Sequence, residues 1–215
     1  MLKLQVIVGS TRPTRAADTV APWVFEQAKS NEQFDVELID LRDWPLPFFQ
    51  EHIGTIGDFN DPTYSDPIVK RWNAKLAEAD AYLIVTAEYN HSIPGQLKNA
   101  LDSVWLSFAM RNKPWGFVAY SVGIAAGTRV VEHLSTVAIE AEAVPLRNTV
   151  LIPQVGAAFD DAGKPKDPMT PIALDVLLGD LAWYGIALKR AREEGQLLPG
   201  SFRARELAAA AAAAS

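Results

Sequence analysis

Apolar runs that suit buried strands alternate along the chain with segments whose apolar residues recur at helical spacing. Residues 81–85 are apolar at every position, which is typical of a parallel strand buried on both faces. Residues 34–41 alternate apolar and acidic side chains instead, which favours a strand nearer the sheet edge. The pattern as a whole predicts five strands, at residues 2–9, 34–41, 81–85, 115–120 and 146–152.

Helical spacing fills the intervals between these strands. It predicts helices over residues 16–29, 94–105 and 126–143, and Leu174, Leu177, Leu178 and Leu181 mark a further amphipathic helix. Strands that alternate with helices indicate an α/β fold, with a parallel sheet covered by helices on both faces. We expect a single domain over residues 1–200. Residues 201–215 are alanine-rich and form either a helical extension or an added tail.

Composition narrows the classes of function. The chain has 215 residues and a formal net charge of -6, which disfavours binding to nucleic acid. It contains no cysteine, which excludes disulfides, thiolate nucleophiles and Cys-ligated metals. No stretch approaches the length of a membrane span, so no span is expected. These features are compatible with the cytoplasm, which is the expected location.

A rigid polar loop follows the central strand, where Tyr89, Asn90, Ser92, Pro94 and Gly95 fall within seven positions. In open α/β sheets, ligands bind at the carboxyl ends of the strands. Backbone amides around residues 88–91 could bond the edge of a flat heterocycle, with Tyr89 lying against it. The alternatives are a half-buried loop aromatic for Tyr89 and turn stabilisation for Asn90.

A second loop, residues 9–16, joins the first strand to a helix and contains Ser10, Thr11, Arg12 and Arg15. Free amides and the positive helix end favour a phosphate there, and Arg12 or Arg15 could add a charge-assisted contact. The loop matches neither the Walker motif nor the Rossmann fingerprint. The alternative is an ordinary turn in which a Ser or Thr caps the helix.

A third loop follows the strand at 115–120, and its Gly123 and Gly127 permit close approach of backbone to a ligand. All three loops would face the same crevice. A metal site is not expected, because the three histidines lie far apart in sequence. Ser92 lacks the Gly-x-Ser-x-Gly setting of a hydrolase. The favoured role of the aromatic residues Trp44, Phe48 and Phe49 is packing within the protein. The alternative is that they line a pocket for an electron acceptor.

Together these motifs resemble the NADPH-dependent FMN reductase family, which includes flavodoxin-like quinone, azo-dye and chromate reductases. The resemblance covers residues 2–152 and is most specific in Glu88-Tyr89-Asn90-x-Ser92-x-Pro94-Gly95. It implies a flavodoxin-like fold with strand order 2-1-3-4-5 and noncovalent FMN. It also implies a homodimer, with a tetramer as the alternative, and contacts near Trp105 and Phe108.

The resemblance also implies roles for individual residues. The first loop would hold the FMN phosphate, the central loop would hold the isoalloxazine, and the third loop would border the ring from the other side. The residues concerned are Ser10, Arg12 and Arg15 in the first loop, Glu88, Tyr89, Asn90 and Ser92 in the central loop, and Ser121, Val122 and Gly123 in the third. Two departures stand out: Ala87 replaces the usual proline, and Ser121-Val122 replaces a Gly-Gly pair.

The function implied is an oxidoreductase that takes a hydride from NADPH or NADH and passes two electrons by way of FMN to a small-molecule acceptor. The hydride step needs no side-chain acid or base, so no catalytic residue is predicted. Two alternatives stay open. One is a flavodoxin-like electron carrier that does not oxidise nicotinamide, and the other is a flavin-free regulatory homologue.

Overall fold

The computed structural model describes residues 1–214 except 53, 59, 60 and 63. It contains eight strands and six helices within these residues. The strands are β1 (Leu2–Val8), β2 (Phe34–Asp40), β3 (Gly57–Asp58), β4 (Asp61–Pro62), β5 (Ala81–Ala87), β6 (Pro114–Tyr120), β7 (Val144–Pro145) and β8 (Val150–Ile152). The helices are α1 (Ala17–Lys29), α2 (Pro67–Ala77), α3 (Gly95–Asp102), α4 (Thr128–Glu140), α5 (Met169–Glu194) and α6 (Gly200–Ala213).

The main sheet is parallel and has the order β2-β1-β5-β6-β7, with β8 also paired to β6. Strands β3 and β4 form a separate antiparallel pair and do not belong to this sheet. When only the strands of the main sheet are numbered, its order is the predicted 2-1-3-4-5 of a flavodoxin-like fold. The strand predicted at 146–152 is confirmed only at its end, where β8 pairs with the end of β6, and a short additional strand, β7, precedes the predicted range and pairs with the start of β6. Pro145 has no N–H to continue the ladder, which fits a break there.

Helices cover both faces of the sheet. One apolar core lies between the sheet and helices α1 and α5, and a second lies between the sheet and helices α2, α3 and α4. The sequence pattern missed α2. Its start is nevertheless marked by Pro67 in the first turn and by Asp66, whose carboxylate accepts a hydrogen bond from the Ile68 N–H.

Helix α5 confirms the leucine pattern, since Leu174, Leu177, Leu178 and Leu181 are all buried against the sheet. It also corrects an expectation from the sequence. By length and composition alone, α5 could cross a membrane, although a core helix passes the same test. Within its most apolar window 33% is buried inside the structure.

The connection after β2 is held in place by Asn99 of α3. The Asn99 side chain donates to the Pro47 carbonyl (2.8 Å) and accepts from the Phe49 N–H (3.0 Å). Trp44 packs on Trp72 with ring centroids 5.0 Å apart, and Phe49 packs near Tyr64. Trp44 and Phe49 both pack in this structure, and Trp44 also lines an open pocket with Thr11 of the first loop, whereas Phe48 is exposed.

Candidate functional site

The three polar loops meet at the carboxyl edge of the central strands. The Gly9 N–H donates to the Val85 carbonyl, and the Glu88 N–H donates to the Tyr120 carbonyl, so each loop begins at the same level as its neighbour. Between them lies an open cleft of about 250 Å³. Its lining comes from all three loops and from the segment after β8, and consists of Arg12, Thr14, Arg15, Ala16, Ala87, Glu88, Tyr89, Tyr120, Ser121, Val122, Val155 and Gly156.

One end of the cleft is suited to an anion. Helix α1 begins beside it, and no side chain caps its first turn. The Ser/Thr-capped turn considered from the sequence is therefore not what the structure contains. The N–H groups of Asp18 and Thr19 donate to the backbone carbonyls of Arg15 and Ala16, so the N–H of Ala17 is the one left open in the first turn as described, at the positive end of the helix where an anion is favoured. Arg12 adds a positive charge on the cleft wall, and it forms no ion pair within the described residues.

Arg15 is tied down within the protein. Its guanidinium bonds both carboxylate oxygens of Asp40, the Asp18 carboxylate and the Ser10 carbonyl, and its side chain is 6% exposed. The hydrogen bonds that Arg15 donates to Asp40 raise the pKa of Arg15. Burial is the largest single influence on Asp40 and disfavours its charged form, but the hydrogen bonds from Arg15 and from the Arg42 N–H, with the charges of both arginines, together outweigh it and lower the pKa of that carboxyl. Of the two predicted arginines, Arg12 is therefore the one whose guanidinium pairs with no carboxylate in the described chain.

Tyr89 connects the first two loops. Its hydroxyl lies 2.6 Å from the Oγ of Ser10, which is fully buried. The guanidinium carbon of Arg12 lies 4.1 Å from the centroid of the Tyr89 ring, a cation–π contact. One face of the ring therefore carries Arg12 in this structure. The sequence pattern suggested a Tyr89 that lies against a heterocycle, and the structure shows a residue that joins Ser10 and Arg12.

The central loop forms a tight turn at residues 89–92. Tyr89 and Ser92 exchange backbone hydrogen bonds of 3.0 Å in both directions, and Asn90 and His91 have φ of 48° and 62°. This is the pattern of a type I′ turn. A non-glycine residue such as His91 in this conformation is strained. The N–H groups of Asn90 and His91 have no acceptor within the described chain, so both can serve a ligand.

Helix α4 holds this turn on both sides. Before it, the Glu88 carboxylate bonds the Arg129 guanidinium (2.8 Å) and the Arg129 N–H (3.2 Å). After it, the Oγ of Ser92 lies 2.9 Å from Nδ1 of His133. Because Arg129 and His133 are one helical turn apart, a single face of α4 fixes both ends of the strained turn. Sequence reasoning did not assign these two residues.

The third loop closes the cleft. The Ser121 Oγ accepts a hydrogen bond from the Gly123 N–H (2.9 Å), so this side chain folds back on its own loop, while Val122 projects into solvent at 87% exposure. Tyr120 lines the cleft and is also missing from the predicted set. Its hydroxyl is buried without a hydrogen-bond partner in the described chain. Burial raises the pKa of this phenol.

Comparison with known proteins assigns the chain to a family. The model of the NADPH-dependent FMN reductases matches residues 2–157. The chain belongs to this family. It is 39% identical over 118 residues to an NAD(P)H-dependent FMN reductase of Schizosaccharomyces pombe, a match that covers 55% of this chain and 57% of that protein.

It is also 30% identical over 131 residues to the quinone reductase of Escherichia coli, covering 55% of this chain and 63% of that protein. The match thus spans less than two thirds of either relative. Among solved structures, the NAD(P)H:(acceptor) oxidoreductase FerB of Paracoccus denitrificans superposes with a TM-score of 0.69 at 21% identity. That superposition covers 87% of this chain and 98% of FerB, and it supports the flavodoxin-like fold.

The structure places the ten predicted site residues at the carboxyl edge of the sheet, but not all of them line the cleft. Six of the ten line the cleft, namely Arg12, Arg15, Glu88, Tyr89, Ser121 and Val122. The other four, Ser10, Asn90, Ser92 and Gly123, belong to the same loops and support the lining residues or lie beside them.

Proposed function

We propose that this chain is an FMN-dependent reductase that oxidises NADPH or NADH and passes two electrons to a quinone-like, azo or other small acceptor. One observation carries the proposal. Three loops of a flavodoxin-like sheet enclose a cleft whose one end has an uncapped helix terminus and an unpaired Arg12. The names of the reductases that it resembles support the same function.

The residues present fit FMN at its phosphate end. A dianionic phosphate would be held by the N–H of Ala17 at the start of α1 and by Arg12, with Ser10 fixing the loop beneath it. The buried Tyr120 hydroxyl lacks a partner in the described chain. Such a group costs stability unless something bonds it, and a ligand oxygen would satisfy it.

The ring end fits the central turn. The free N–H groups of Asn90 and His91 would donate to carbonyl oxygens at the edge of the isoalloxazine. The flavin, when bound, supplies the chemistry, because it can take a hydride from a nicotinamide and return two electrons to an acceptor. The chain would supply orientation, since Arg129 and His133 hold the turn in place.

A spectrum and a steady-state assay test the proposal. Protein reconstituted with FMN is expected to be yellow, to quench flavin fluorescence and to consume NADPH or NADH when a benzoquinone is added. FMN binding without nicotinamide consumption would favour the electron carrier instead. A protein that fails to bind added FMN would leave only the flavin-free regulatory homologue.

We also propose a homodimer, through the surface near Trp105 and Phe108. Trp105 is 39% exposed, and both side chains line an apolar cavity between α3 and α4. Light scattering of the Trp105→Glu variant tests this, with a fall in mass expected. The cytoplasmic location stays a prediction, which fractionation of the source cells tests.

A further inference from the structure

Arg42 lies outside the cleft, yet it holds the loop that carries Arg12. It follows β2, and its side chain lines a different pocket from the cleft. Its Nη2 donates to the backbone carbonyl of Arg12 and, at 3.1 Å, to that of Pro13. Its Nη1 donates to both carboxylate oxygens of Asp18, at 3.2 and 3.4 Å. One side chain thus connects the segment after β2, the first loop and the first turn of α1.

These contacts fix the peptide groups of the loop. A planar trans peptide directs its N–H away from its C=O, and no cis peptide occurs among the described residues. Because the Pro13 carbonyl bonds Arg42, the Thr14 N–H is turned to the opposite side. Thr14 lines the cleft, and its N–H has no acceptor within the described residues. Arg42 therefore sets the orientation of an unpartnered amide in the loop that lines the cleft.

Arg12 itself is held at both of its ends. Its backbone carbonyl accepts from Arg42, and its guanidinium carbon lies 4.1 Å from the centroid of the Tyr89 ring. Neither contact involves a carboxylate, so the positive charge of Arg12 stays available to an anion. A loop that is already fixed in its binding conformation loses less conformational entropy when a ligand binds, which raises the affinity.

Arg42 also balances a carboxylate that would oppose an anion. Asp18 lies in the first turn of α1, where its carboxylate accepts from Arg15 Nε (2.8 Å) and from Arg42. Arg15 is shared with a second carboxylate, that of Asp40. The two carboxylates and the two guanidinium groups balance in charge. Removal of Arg42 would leave one negative charge uncompensated near the phosphate end of the cleft.

We propose that Arg42 is a positioning residue for the binding of a phosphate-bearing ligand, and that it acts through Arg12 and the first turn of α1. It does not touch the ligand itself, because it is not among the residues that line the cleft. This role rests on the proposed function, since the phosphate concerned is that of FMN. It adds a residue from the segment after β2 to a site built from the other three loops.

Paired titrations with FMN and riboflavin test this role. Arg42→Gln removes the guanidinium and keeps a polar side chain. We expect its FMN affinity to fall about fivefold to twentyfold, while riboflavin, which lacks the phosphate, binds as it does to the parent protein. The matched control is Arg190→Gln, an exposed arginine of α5 that pairs with Glu194, and its FMN affinity should not change. Equal losses for both ligands in Arg42→Gln, or no loss for FMN, would overturn the role.

A double-mutant cycle separates positioning from an independent contact. If Arg42 acts through Arg12, Arg42→Gln should cost less FMN affinity in an Arg12→Ala protein than in the parent protein. The same fold-loss in both backgrounds would show that Arg42 acts independently of Arg12, which contradicts a positioning role.

Amide hydrogen exchange in the flavin-free protein tests the loop without a ligand. The N–H groups of Asp18 and Thr19 donate to carbonyls of the first loop, at 3.2 and 3.0 Å. Both should exchange several fold faster in Arg42→Gln, whereas the Ser92 N–H of the central turn should exchange as before. Unchanged rates at Asp18 and Thr19 would show that Arg42 does not hold the loop. A parent protein that binds neither flavin would refute the proposed function, and the exchange rates would still decide whether Arg42 fixes the loop.

Discussion

Lys113 is a buried lysine that makes folding depend on pH. It is 6% exposed at the start of β6, away from the cleft. Its Nζ donates to the carbonyls of Ala77 and Ala109, at 2.9 Å each, and to the Tyr82 hydroxyl at 3.2 Å. Burial, with a smaller contribution from the charge of nearby Arg192, lowers the pKa of Lys113 from 10.5 to about 7.

The sign of the effect follows from proton counting. Between about pH 7 and pH 10.5 the unfolded chain holds the Lys113 proton and the folded chain does not, so stability rises with pH in this window. Below about pH 7 both the folded and the unfolded chain hold the proton, and the folded state carries the full cost of burying a charged Lys113. A shift of this size corresponds to roughly 5 kcal/mol in total. Between about pH 7 and about pH 8.5 the folded state would gain roughly 1.5 kcal/mol.

The Lys113→Met variant isolates this contribution, because methionine keeps the length of the side chain and removes the titration. We expect the free energy of unfolding of the parent protein to rise with pH relative to that of the variant, by roughly 1.5 kcal/mol over that interval. Urea denaturation at several pH values measures the difference. The overall stability of the variant will also fall, since three oxygens lose their donor, but that loss does not vary with pH.

Lys75→Met is the matched control. Lys75 lies on the surface and pairs with Glu37 and Glu78, and its hydrogen bond to Glu37 raises its pKa rather than lowering it. Its removal should not change the pH slope over the same interval. If Lys113→Met leaves the slope as it is in the parent protein, the lysine is protonated in the folded state at neutral pH. The three oxygens would then outweigh burial, contrary to the argument.

Three further predictions concern the cleft. Arg12→Ala is expected to weaken FMN binding roughly tenfold to a hundredfold and to leave riboflavin binding nearly unchanged, in fluorescence titrations; equal losses for both ligands would contradict a phosphate contact. His133→Leu should weaken FMN binding by several fold, whereas His133→Asn, whose amide can still bond Ser92, should restore it; equal defects in both would show that the bond to Ser92 is not what matters. Gly127→Ala should destabilise the fold by about 2 kcal/mol or more in urea titration, because φ is +90° and the new Cβ would lie 2.7 Å from that of Ala119; an unchanged midpoint would show that the loop rearranges freely.

Local patterns were enough to predict most of the sheet. Strand β5 is buried at every position, as its unbroken apolar run indicates, and β2 lies at the edge, as its alternating pattern indicates. The sequence pattern failed where pairing with a neighbouring strand, rather than the segment's own residues, decides where a strand forms. The pattern predicts one strand at 146–152, yet only residues 150–152 form one, and β7 at 144–145 and β8 meet different halves of β6. Pro145 fits the break in the ladder, but where the ladder resumes is determined by the tertiary pairing.

The position of the cleft was predictable for the same reason. Each of its loops follows a strand of a parallel sheet, and such loops gather at one edge whatever the rest of the chain does. The individual residues that line the cleft were less predictable than its position. Tyr120 belongs to the end of an apolar strand, and nothing local distinguishes its hydroxyl from that of any core tyrosine. The lack of a partner for this hydroxyl in the described chain is a property of the tertiary structure and not of the local sequence.

The supports of the central turn lie furthest from what a sequence pattern can show. Asn90 and His91 hold positive φ values without glycine, so the turn needs external contacts to stay in this conformation. Those contacts come from Arg129 and His133, about forty residues further along the chain, on a helix whose own apolar pattern gives no sign of them. The strained turn thus follows β5, whereas the residues that hold it in place lie on α4. Any change that moves α4 relative to β5 should alter the conformation of this turn, even where no residue of the cleft has changed.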